Sequence, residues 1–254
     1  MEMADEMYDW DKHWSVYDAN TQENPAQLFR FRLVSGMIRT LPGSRLVDIG
    51  CGQGDLLRHI NSTHPSFSLF GFELSTSGVA ATKRKVPSAQ VSELDLFSES
   101  ASNVLSAVAA DIATCSEVLE HVPDPVEFVR RSREALVPGG HMVATVPGGP
   151  RTGFDIQIGH LRHFTRVTAK ETFESAGFEV IEVRGAGFPF FNLYKLAVLA
   201  RGTKVAEDYE GETSFLFRAA MKIFATLFRI SRTKSKLGWQ ITVIARNPKL
   251  SENQ

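Results

Sequence analysis

Short apolar runs alternate with segments of helical periodicity along most of the chain. Continuous or period-two hydrophobic runs predict strands, and apolar positions spaced three and four apart predict helices. Strands that alternate with helices are typical of an α/β fold with a mostly parallel sheet. The pattern predicts strands over 46–49, 69–73, 91–94, 109–115, 141–147, 178–183 and 239–245, and helices over 26–41, 54–62, 78–84, 98–107, 125–136 and 168–176.

A glycine turn follows the first predicted strand and opens the next helix. Its sequence is Gly50-Cys51-Gly52-Gln53-Gly54. Glycine is required where φ is positive or where a ligand must approach the backbone closely, and a helix N-terminus offers unpaired N–H groups to an anionic group. The turn therefore predicts a nucleotide-like ligand across the end of the strand. Asp55 stands where a dinucleotide fingerprint would have its last glycine, which disfavours a nicotinamide cofactor.

Acidic residues close the next two predicted strands. Glu73 lies 19 residues after Gly54, about the distance at which a second strand delivers an acid to a ribose hydroxyl pair. Asp95 follows the third strand. The glycine turn, Glu73 and Asp95, in this order and spacing, together resemble the class I S-adenosylmethionine-dependent methyltransferases. The resemblance covers roughly residues 30–185 and the last strand near 240.

This resemblance implies a fold, a cofactor and a set of contacts. The fold would be Rossmann-like α/β, with a seven-stranded mostly parallel sheet, helices on both faces and an antiparallel last strand. The cofactor would be S-adenosyl-L-methionine. The residues that the resemblance places against it are Asp48, Gly50, Cys51, Gly52, Gly54, Glu73, Leu74, Asp95, Leu96 and Ser116.

The segment after the fourth strand carries the strongest candidates for chemistry. Glu117, Glu120 and His121 are spaced i, i+3 and i+4, which would place them on one face of a helical turn. Two carboxylates and an imidazole suit a Mg²⁺, Mn²⁺ or Zn²⁺ half-site. Alternatively His121 is a general base without a metal, or the residues are structural. All three interpretations stay open.

The same segment resembles that of ubiquinone-pathway O-methyltransferases and small-RNA 2′-O-methyltransferases. In those families it binds a divalent ion, which a later histidine completes in the RNA enzymes. His160 is favoured over His163 as the partner of His121, although Arg162 stands where the RNA enzymes carry their histidine. The candidate catalytic residues are Glu120, His121 and His160, and the candidate metal ligands are Glu117, Glu120, His121 and His160.

Several regions lie outside the predicted sheet. Residues 1–28 form an aromatic-rich arm, expected to cover the cofactor site through Trp14 and Tyr17. The methyltransferase domain is expected over 29–187 and 238–247, interrupted by a helical insertion, 188–237, and followed by a tail, 248–254. Within the insertion, 214–236 is basic and amphipathic without any acid. Such a segment favours either peripheral membrane contact or a lid over a lipid-like acceptor, and a helix pair packed over the core is the alternative.

Local signals within the domain predict its connections. Residues 137–140 are expected to form a turn, 147–159 a mobile loop, and Thr168-Ala169-Lys170-Glu171 a helix-capping box.

Composition restricts the cellular setting. The net charge of −1 over 254 residues argues against nucleic acid as a partner. Two cysteines, Cys51 and Cys115, are expected to be buried free thiols. No apolar run reaches the ~18 residues of a membrane span. These features fit a cytoplasmic protein that can associate peripherally with the membrane.

The sequence as a whole predicts an S-adenosylmethionine-dependent methyltransferase. The expected reaction is O-methylation of a small-molecule, lipid-linked or glycan hydroxyl, with a histidine, alone or with a metal, activating the acceptor. A nicotinamide-dependent oxidoreductase and a non-catalytic nucleotide-binding scaffold are the alternatives.

Overall fold

A computed structural model of the chain describes residues 8–17, 24–201 and 215–249. Within these ranges the side chains of 15–17, 201 and 215–219 are outside the description, as is the expected role of Tyr17. The described residues form one seven-stranded sheet with helices around it, in the strand order β3-β2-β1-β4-β5-β7-β6. The strands are β1 (Arg45–Ile49), β2 (Ser68–Glu73), β3 (Gln90–Glu93), β4 (Ala110–Ser116), β5 (Leu136–Pro147), β6 (Glu179–Ala186) and β7 (Gln240–Arg246).

The sheet is parallel except at one edge. β1 to β5 pair in parallel, whereas β7 runs antiparallel to both β5 and β6. The predicted Rossmann-like fold with an antiparallel last strand is therefore confirmed. The strand order reverses between β1 and β4, and the crevice at such a switch point is where open α/β sheets bind their ligands.

Helices cover both faces and contribute an additional layer. They are α1 (Trp10–Tyr17), α2 (Pro25–Ile38), α3 (Asp55–Thr63), α4 (Thr76–Lys85), α5 (Ala101–Ser106), α6 (Pro125–Ser132), α7 (Gly153–Gln157), α8 (Arg166–Ser175), α9 (Phe190–Arg201) and α10 (Phe215–Ile230). None of the helices within the described ranges is long and apolar enough to cross a bilayer.

The core explains why the central strands read as continuous apolar runs. Leu46, Val47 and Ile49 of β1 are fully buried. Successive strand residues point to opposite faces, and accordingly Val47 and Ile49 join one hydrophobic cluster while Leu46 joins another on the other side of the sheet. Because helices cover both faces of the sheet, the central strands have no solvent-exposed face on which polar side chains would alternate with apolar ones. The two cysteines, Cys51 and Cys115, are buried and free as expected.

Three local predictions were wrong. Residues 137–140 are not a separate turn but the first part of β5, where the register against β4 shifts between Ala110 and Ile112. Gly140 permits this, because a Cβ there would lie 2.9 Å from the Val137 carbonyl oxygen. The loop 147–159 contains helix α7, which begins at a capping box formed by Thr152 and Asp155.

The third correction concerns the start of α8. Thr168 is not its N-cap but occupies the third helical position, and Thr165 is the cap. The Thr165 hydroxyl accepts from the Thr168 N–H at 3.1 Å, and the Thr165 N–H donates to the Thr168 hydroxyl at 2.9 Å. A threonine in the third position can therefore replace the glutamate that this motif usually carries.

Candidate active site

The glycine turn between β1 and α3 has the backbone that its sequence predicts. Gly50, Gly52 and Gly54 have φ values of +71°, +54° and +77°, a region that L side chains rarely adopt. The N–H groups of Gly50 and Cys51 donate to the Phe72 carbonyl of β2 at 2.8 and 3.0 Å. The neighbouring strand thus fixes the turn at the switch point of the sheet.

Glu73 faces this turn. Its carboxylate accepts from the Gly52 N–H at 2.8 Å and the Ser75 N–H at 3.1 Å. Burial raises the pKa of Glu73, and the hydrogen bonds from Ser75 and Gly52 oppose that rise. The acid at the end of β2 therefore points toward the glycine backbone.

Helix α1 lies over the same place. A Cβ added to Gly52 would be 2.8 Å from Cζ2 of Trp14, and one added to Gly78 would be 3.2 Å from Cδ1 of the same indole. Asp11 holds the helix there, since its carboxylate accepts from the Ser75 hydroxyl at 2.6 Å and the Ser77 N–H at 2.9 Å. The indole of Trp14 therefore covers the glycine backbone beside Glu73.

Asp48, the last acid of β1, is buried beneath the turn. It is 2% exposed, and its Oδ1 accepts from the Thr114 hydroxyl at 2.6 Å. Burial raises the pKa of Asp48 to about 7; the Thr114 hydrogen bond opposes this and the charge of Glu73 adds to it. Asp48 thus changes its charge near neutral pH.

A cavity of about 310 Å³ runs from the turn toward β4 and β5. This volume is within the range of small-molecule sites. Of the sequence-predicted residues, its lining includes Asp48, Gly50, Cys51, Gly52, Ser116, Glu117, Glu120, His121 and His160. Gly54, Glu73, Leu74, Asp95 and Leu96 lie outside that lining.

The third-strand residues have local roles in the structure. The Asp95 side chain accepts from the Phe97 N–H at 2.9 Å and is exposed, while Leu96 is 5% exposed and belongs to the core.

The segment after β4 is not the helical turn that its spacing predicts. Glu117 has φ +57°, and its N–H donates to the Thr145 carbonyl at 2.9 Å, which continues the pairing of β4 with β5. The chain then makes a non-helical turn through residues 119–121. Glu117 and Glu120 therefore do not share a helix face.

The Glu117 carboxylate is held by its own partners. It accepts from the Thr145 hydroxyl at 3.0 Å and the Gln240 amide at 2.8 Å, and Arg30 lies 3.7 Å away. The histidine-containing group at this end of the cavity instead consists of Glu120, His121 and His160, whose ligand atoms lie within 4.8 Å of one another.

Glu120 is the most unusual side chain of the site. It is fully buried, and neither carboxyl oxygen has a hydrogen-bond partner among the described residues. Its Oε1 lies 4.0 Å from Nε2 of His121. Burial, followed by the charge of Glu117, raises the pKa of Glu120 well above its usual range. A buried carboxyl without partners is costly, which points to a functional role.

His121 is held between two rings. Its centroid lies 4.8 Å from that of Trp10 and 4.7 Å from that of His160, both edge-on. Nδ1 of His121 is 3.2 Å from the Gly159 carbonyl oxygen. Because a carbonyl can only accept, we assign the proton to Nδ1, which leaves the lone pair of Nε2 on the side of Glu120. Burial lowers the pKa of His121 to about 4, so the ring is neutral at pH 7.

His160 belongs to a second network as well. Its Nδ1 lies 3.2 Å from Nε2 of His163, and Asp155 is 3.9 Å from His160 and 3.5 Å from His163. Burial, and then the neighbouring His121, lowers the pKa of His160 to about 2. Lys195 of α9 pairs with Asp155 at 3.1 Å, so the charge of this carboxylate is already balanced.

Comparison with known proteins identifies the chemistry. A model of the methyltransferase domain matches residues 17–183. The chain belongs to this methyltransferase family. The enzyme is accordingly an S-adenosylmethionine-dependent methyltransferase.

Two relatives carry the same name. The methyltransferase is 25% identical over 207 residues to the ubiquinone biosynthesis O-methyltransferase of Cupriavidus pinatubonensis, with 73% of this chain and 80% of that protein covered. It is 30% identical to the protein of the same name from Marinobacter nauticus, covering 62% and 73%. The fold is shared with phosphoethanolamine N-methyltransferase 2 of Haemonchus contortus in complex with S-adenosyl-L-methionine, with a TM-score of 0.55 and 19% identity, covering 94% of this chain and 57% of that one.

The residues at the glycine turn fit the cofactor of this methyltransferase. Bare backbone at Gly50 and Gly52, an acid at Asp48 and the Glu73 carboxylate supply the surface and the polar groups that an adenosine-bearing sulfonium requires. The Trp14 indole stands on part of this surface, so it must move for the adenosine to lie against Gly52. The glycine backbone that would hold the cofactor is present, and helix α1 covers it.

Sequence reasoning missed several residues of the site. Trp10 contacts His121, and Arg30 and Gln240 hold Glu117. The aromatic arm gave a signal for Trp10, although only Trp14 and Tyr17 were expected at the pocket. Arg30 sits in an ordinary amphipathic helix and Gln240 at the start of the last strand, and neither carries a local signal.

Proposed function

We propose that the methyltransferase transfers the methyl group to a hydroxyl of an acceptor with an apolar body, and that Glu120, His121 and His160 activate that hydroxyl with the help of a divalent cation. The observation that carries the proposal is Glu120: a fully buried carboxyl with no hydrogen-bond partner among the described residues, 4.0 Å from an imidazole nitrogen.

The donor set suits a divalent cation. One carboxylate and two imidazoles are ligands that Zn²⁺ and Mn²⁺ accept, and Mg²⁺ through the carboxylate. Metal binding requires neutral imidazoles, and burial already lowers the pKa values of His121 and His160 far below neutrality. A cation would in turn favour the ionised form of Glu120. Glu120, His121 and His160 would hold it, and Glu117 would remain on Arg30 and Gln240.

Each residue then has a distinct part in the transfer. The sulfonium of the bound cofactor supplies the methyl group. With a cation bound, the Nε2 lone pair of His121 would be one of its ligands, and the cation would lower the pKa of the acceptor hydroxyl. Without the cation, the same lone pair could take the proton of that hydroxyl. The ring of Trp10 packs edge-on against His121 and helps to fix its orientation. Since methyl transfer is an in-line displacement, holding the acceptor oxygen against the cofactor supplies much of the acceleration.

The walls of the cavity favour an acceptor with an apolar body. The lining includes the apolar side chains of Phe154, Ile158, Phe191, Tyr194 and Val198, next to the paired charges of Asp155 and Lys195. Transfer to oxygen is supported by the relatives, which are named O-methyltransferases. A phenolic or lipid-linked hydroxyl fits both features.

The test compares Glu120→Gln with the matched variant Glu117→Gln, two carboxyl-to-amide changes three residues apart. Metal-stripped enzyme is titrated with Mg²⁺, Mn²⁺ and Zn²⁺ by calorimetry, and turnover of a panel of hydroxylated acceptors is followed through S-adenosylhomocysteine release. We expect Glu120→Gln to abolish cation binding and to reduce kcat by roughly 10²–10⁴-fold, with Glu117→Gln retaining cation binding.

Two results would change the proposal. Turnover that survives chelation but is lost in His121→Ala would leave His121 as a base without a metal. Full turnover in Glu120→Gln would remove the group from the mechanism altogether.

A further inference from the structure

The outward face of α10 and the segment that follows it combine exposed isoleucines with cations. Ile223 and Ile230 are 60% and 70% exposed, and Leu237 is 61% exposed. The two isoleucines are seven residues apart and therefore lie on the same side of the helix. Exposed apolar side chains that are grouped on one face of a helix, rather than scattered singly, mark a candidate interaction surface.

The core side of α10 is already occupied. Phe228 is 1% exposed, and its ring lies 5.6 Å from those of Phe29 in α2 and Phe191 in α9. Phe224 packs on the same side, 6.0 Å from Phe228. The helix is thus anchored to the domain by one face, and the side with Ile223 and Ile230 remains outward.

Basic residues flank these isoleucines, and the same segment of the sequence contains no acidic residue. Between Met221 and Gly238 the chain has five basic residues and no acidic one: Lys222, Arg229, Arg232, Lys234 and Lys236. Of these five, only Lys234 forms an ion pair within the described part of the chain, with the carboxylate of Glu182. Lys222 and Arg229 are seven apart and exposed, so they form a basic edge beside the isoleucines.

A further cation comes from α2. Arg32 lies close enough to Arg229 for the two to repel: burial and then the charge of Arg229 lower the pKa of Arg32. Two guanidinium groups brought together in this way favour an anionic surface between them. The enzyme as a whole has a net charge of −1, so the positive charge is a property of this face rather than of the whole protein.

We infer that the face formed by Lys222, Ile223, Arg229, Ile230 and the segment 232–237 docks on an anionic lipid bilayer. The cations meet the lipid phosphates while the isoleucines enter the boundary between headgroups and acyl chains, as amphipathic interfacial helices do. A nucleic-acid backbone would leave the isoleucines in water, which disfavours it. An acidic protein is the remaining alternative, and the experiment below separates it from lipid.

Helix α9 connects this face to the chemistry. Tyr194 and Val198 line the catalytic cavity, whereas Leu193, Leu196 and Leu199 of the same helix are exposed by 51%, 44% and 41%. One helix therefore forms both a wall of the cavity and part of the outer apolar surface. If the proposed acceptor is lipid-linked, docking would bring the enzyme to the surface that holds this acceptor; the docking itself does not depend on that function.

The test is sedimentation of the full chain with vesicles of phosphatidylcholine alone or with phosphatidylglycerol added, without cofactor or acceptor. Two paired variants are compared with the wild type: Lys222→Gln with Arg229→Gln, and Ile223→Ser with Ile230→Ser. Lys83→Gln with Lys170→Gln, exposed lysines on α4 and α8, is the matched charge control. Thermal unfolding and S-adenosylhomocysteine affinity establish that each variant is folded.

We expect binding to the anionic vesicles to exceed binding to the neutral ones. Loss of the two α10 cations should weaken it by roughly fivefold each, and loss of the two isoleucines by roughly tenfold, with the control pair unchanged. Equal binding to both vesicles, no binding to either, or equal losses in the control pair would overturn the proposal. Because no methyl transfer is measured, failure here leaves the proposed O-methylation standing, and failure of O-methylation leaves the docking intact.

Discussion

Asp48 gives the sharpest test of the electrostatics at the cofactor site. Burial raises its pKa from 3.8 to about 7 in the folded enzyme. A carboxyl whose folded-state pKa is raised destabilises the fold only where the unfolded chain would be ionised. The penalty is therefore absent below about pH 4, grows as the pH rises and is complete above about pH 7.

The magnitude follows from this change in pKa. Each pKa unit corresponds to about 1.36 kcal/mol, so ionisation of Asp48 lowers the free energy of unfolding by up to about 4 kcal/mol at pH 8. Asp48→Asn keeps an oxygen that can accept from the Thr114 hydroxyl, at 2.6 Å from Oδ1 in the wild type, but never acquires the charge. We expect the variant to match the wild type near pH 4 and to be more stable at pH 8.

Urea unfolding at several pH values measures the effect, with Asp55→Asn as the matched control. Asp55 is also buried, but its carboxylate pairs with Lys85 at 3.1 Å. Removing that charge should destabilise the enzyme at pH 8 instead, by about 1–3 kcal/mol. If Asp48→Asn lost stability at pH 8 as Asp55→Asn does, the account of Asp48 as a carboxyl without a cationic partner would be refuted.

Two further predictions follow from single contacts. Trp14→Ala should tighten binding of S-adenosylhomocysteine about tenfold, or about 1.4 kcal/mol, because the indole covers Gly52 and must move. Calorimetry measures this affinity, and weaker binding would mean that Trp14 stacks on the cofactor instead. Thr165→Ala should lower the free energy of unfolding by about 1 kcal/mol, because it removes the cap of α8. Thr168→Glu should keep the wild-type stability, because it restores the usual capping partner. Equal losses of stability in both variants would contradict the assigned cap.

Local patterns in the sequence were sufficient for the buried strands and the glycine turn. The buried strands β1, β2 and β4 were predicted from short apolar runs, and the conformation of Gly50, Gly52 and Gly54 from their spacing. Such signals depend on a residue and its near neighbours, because strand and helix periodicities and the need for positive φ are local properties. The family resemblance then implied the antiparallel last strand, which β7 confirms.

Local patterns failed where a long-range contact decides the backbone. The spacing of Glu117, Glu120 and His121 is that of a helical turn, but the N–H of Glu117 is taken by Thr145 of β5, and the residue adopts a left-handed conformation. The same happened at 137–140, which belongs to a longer strand: the Gly139 N–H donates to the Asn247 carbonyl and the Asn247 N–H to the Gly140 carbonyl, both at 2.8 Å. Sheet pairing with a distant segment outweighs the weak preference of a few residues for a turn.

The sequence by itself determined the sheet, the glycine turn at its switch point and the acid that faces it. Only the tertiary structure decided that Glu120 is buried without a partner beside His121 and His160, that Gln240 holds Glu117 from 123 residues away, and that Trp10 and Trp14 cover the site. The physical reason is that periodicity and turn chemistry are set by adjacent residues, whereas burial, pKa and coordination are set by side chains that meet only when the chain packs.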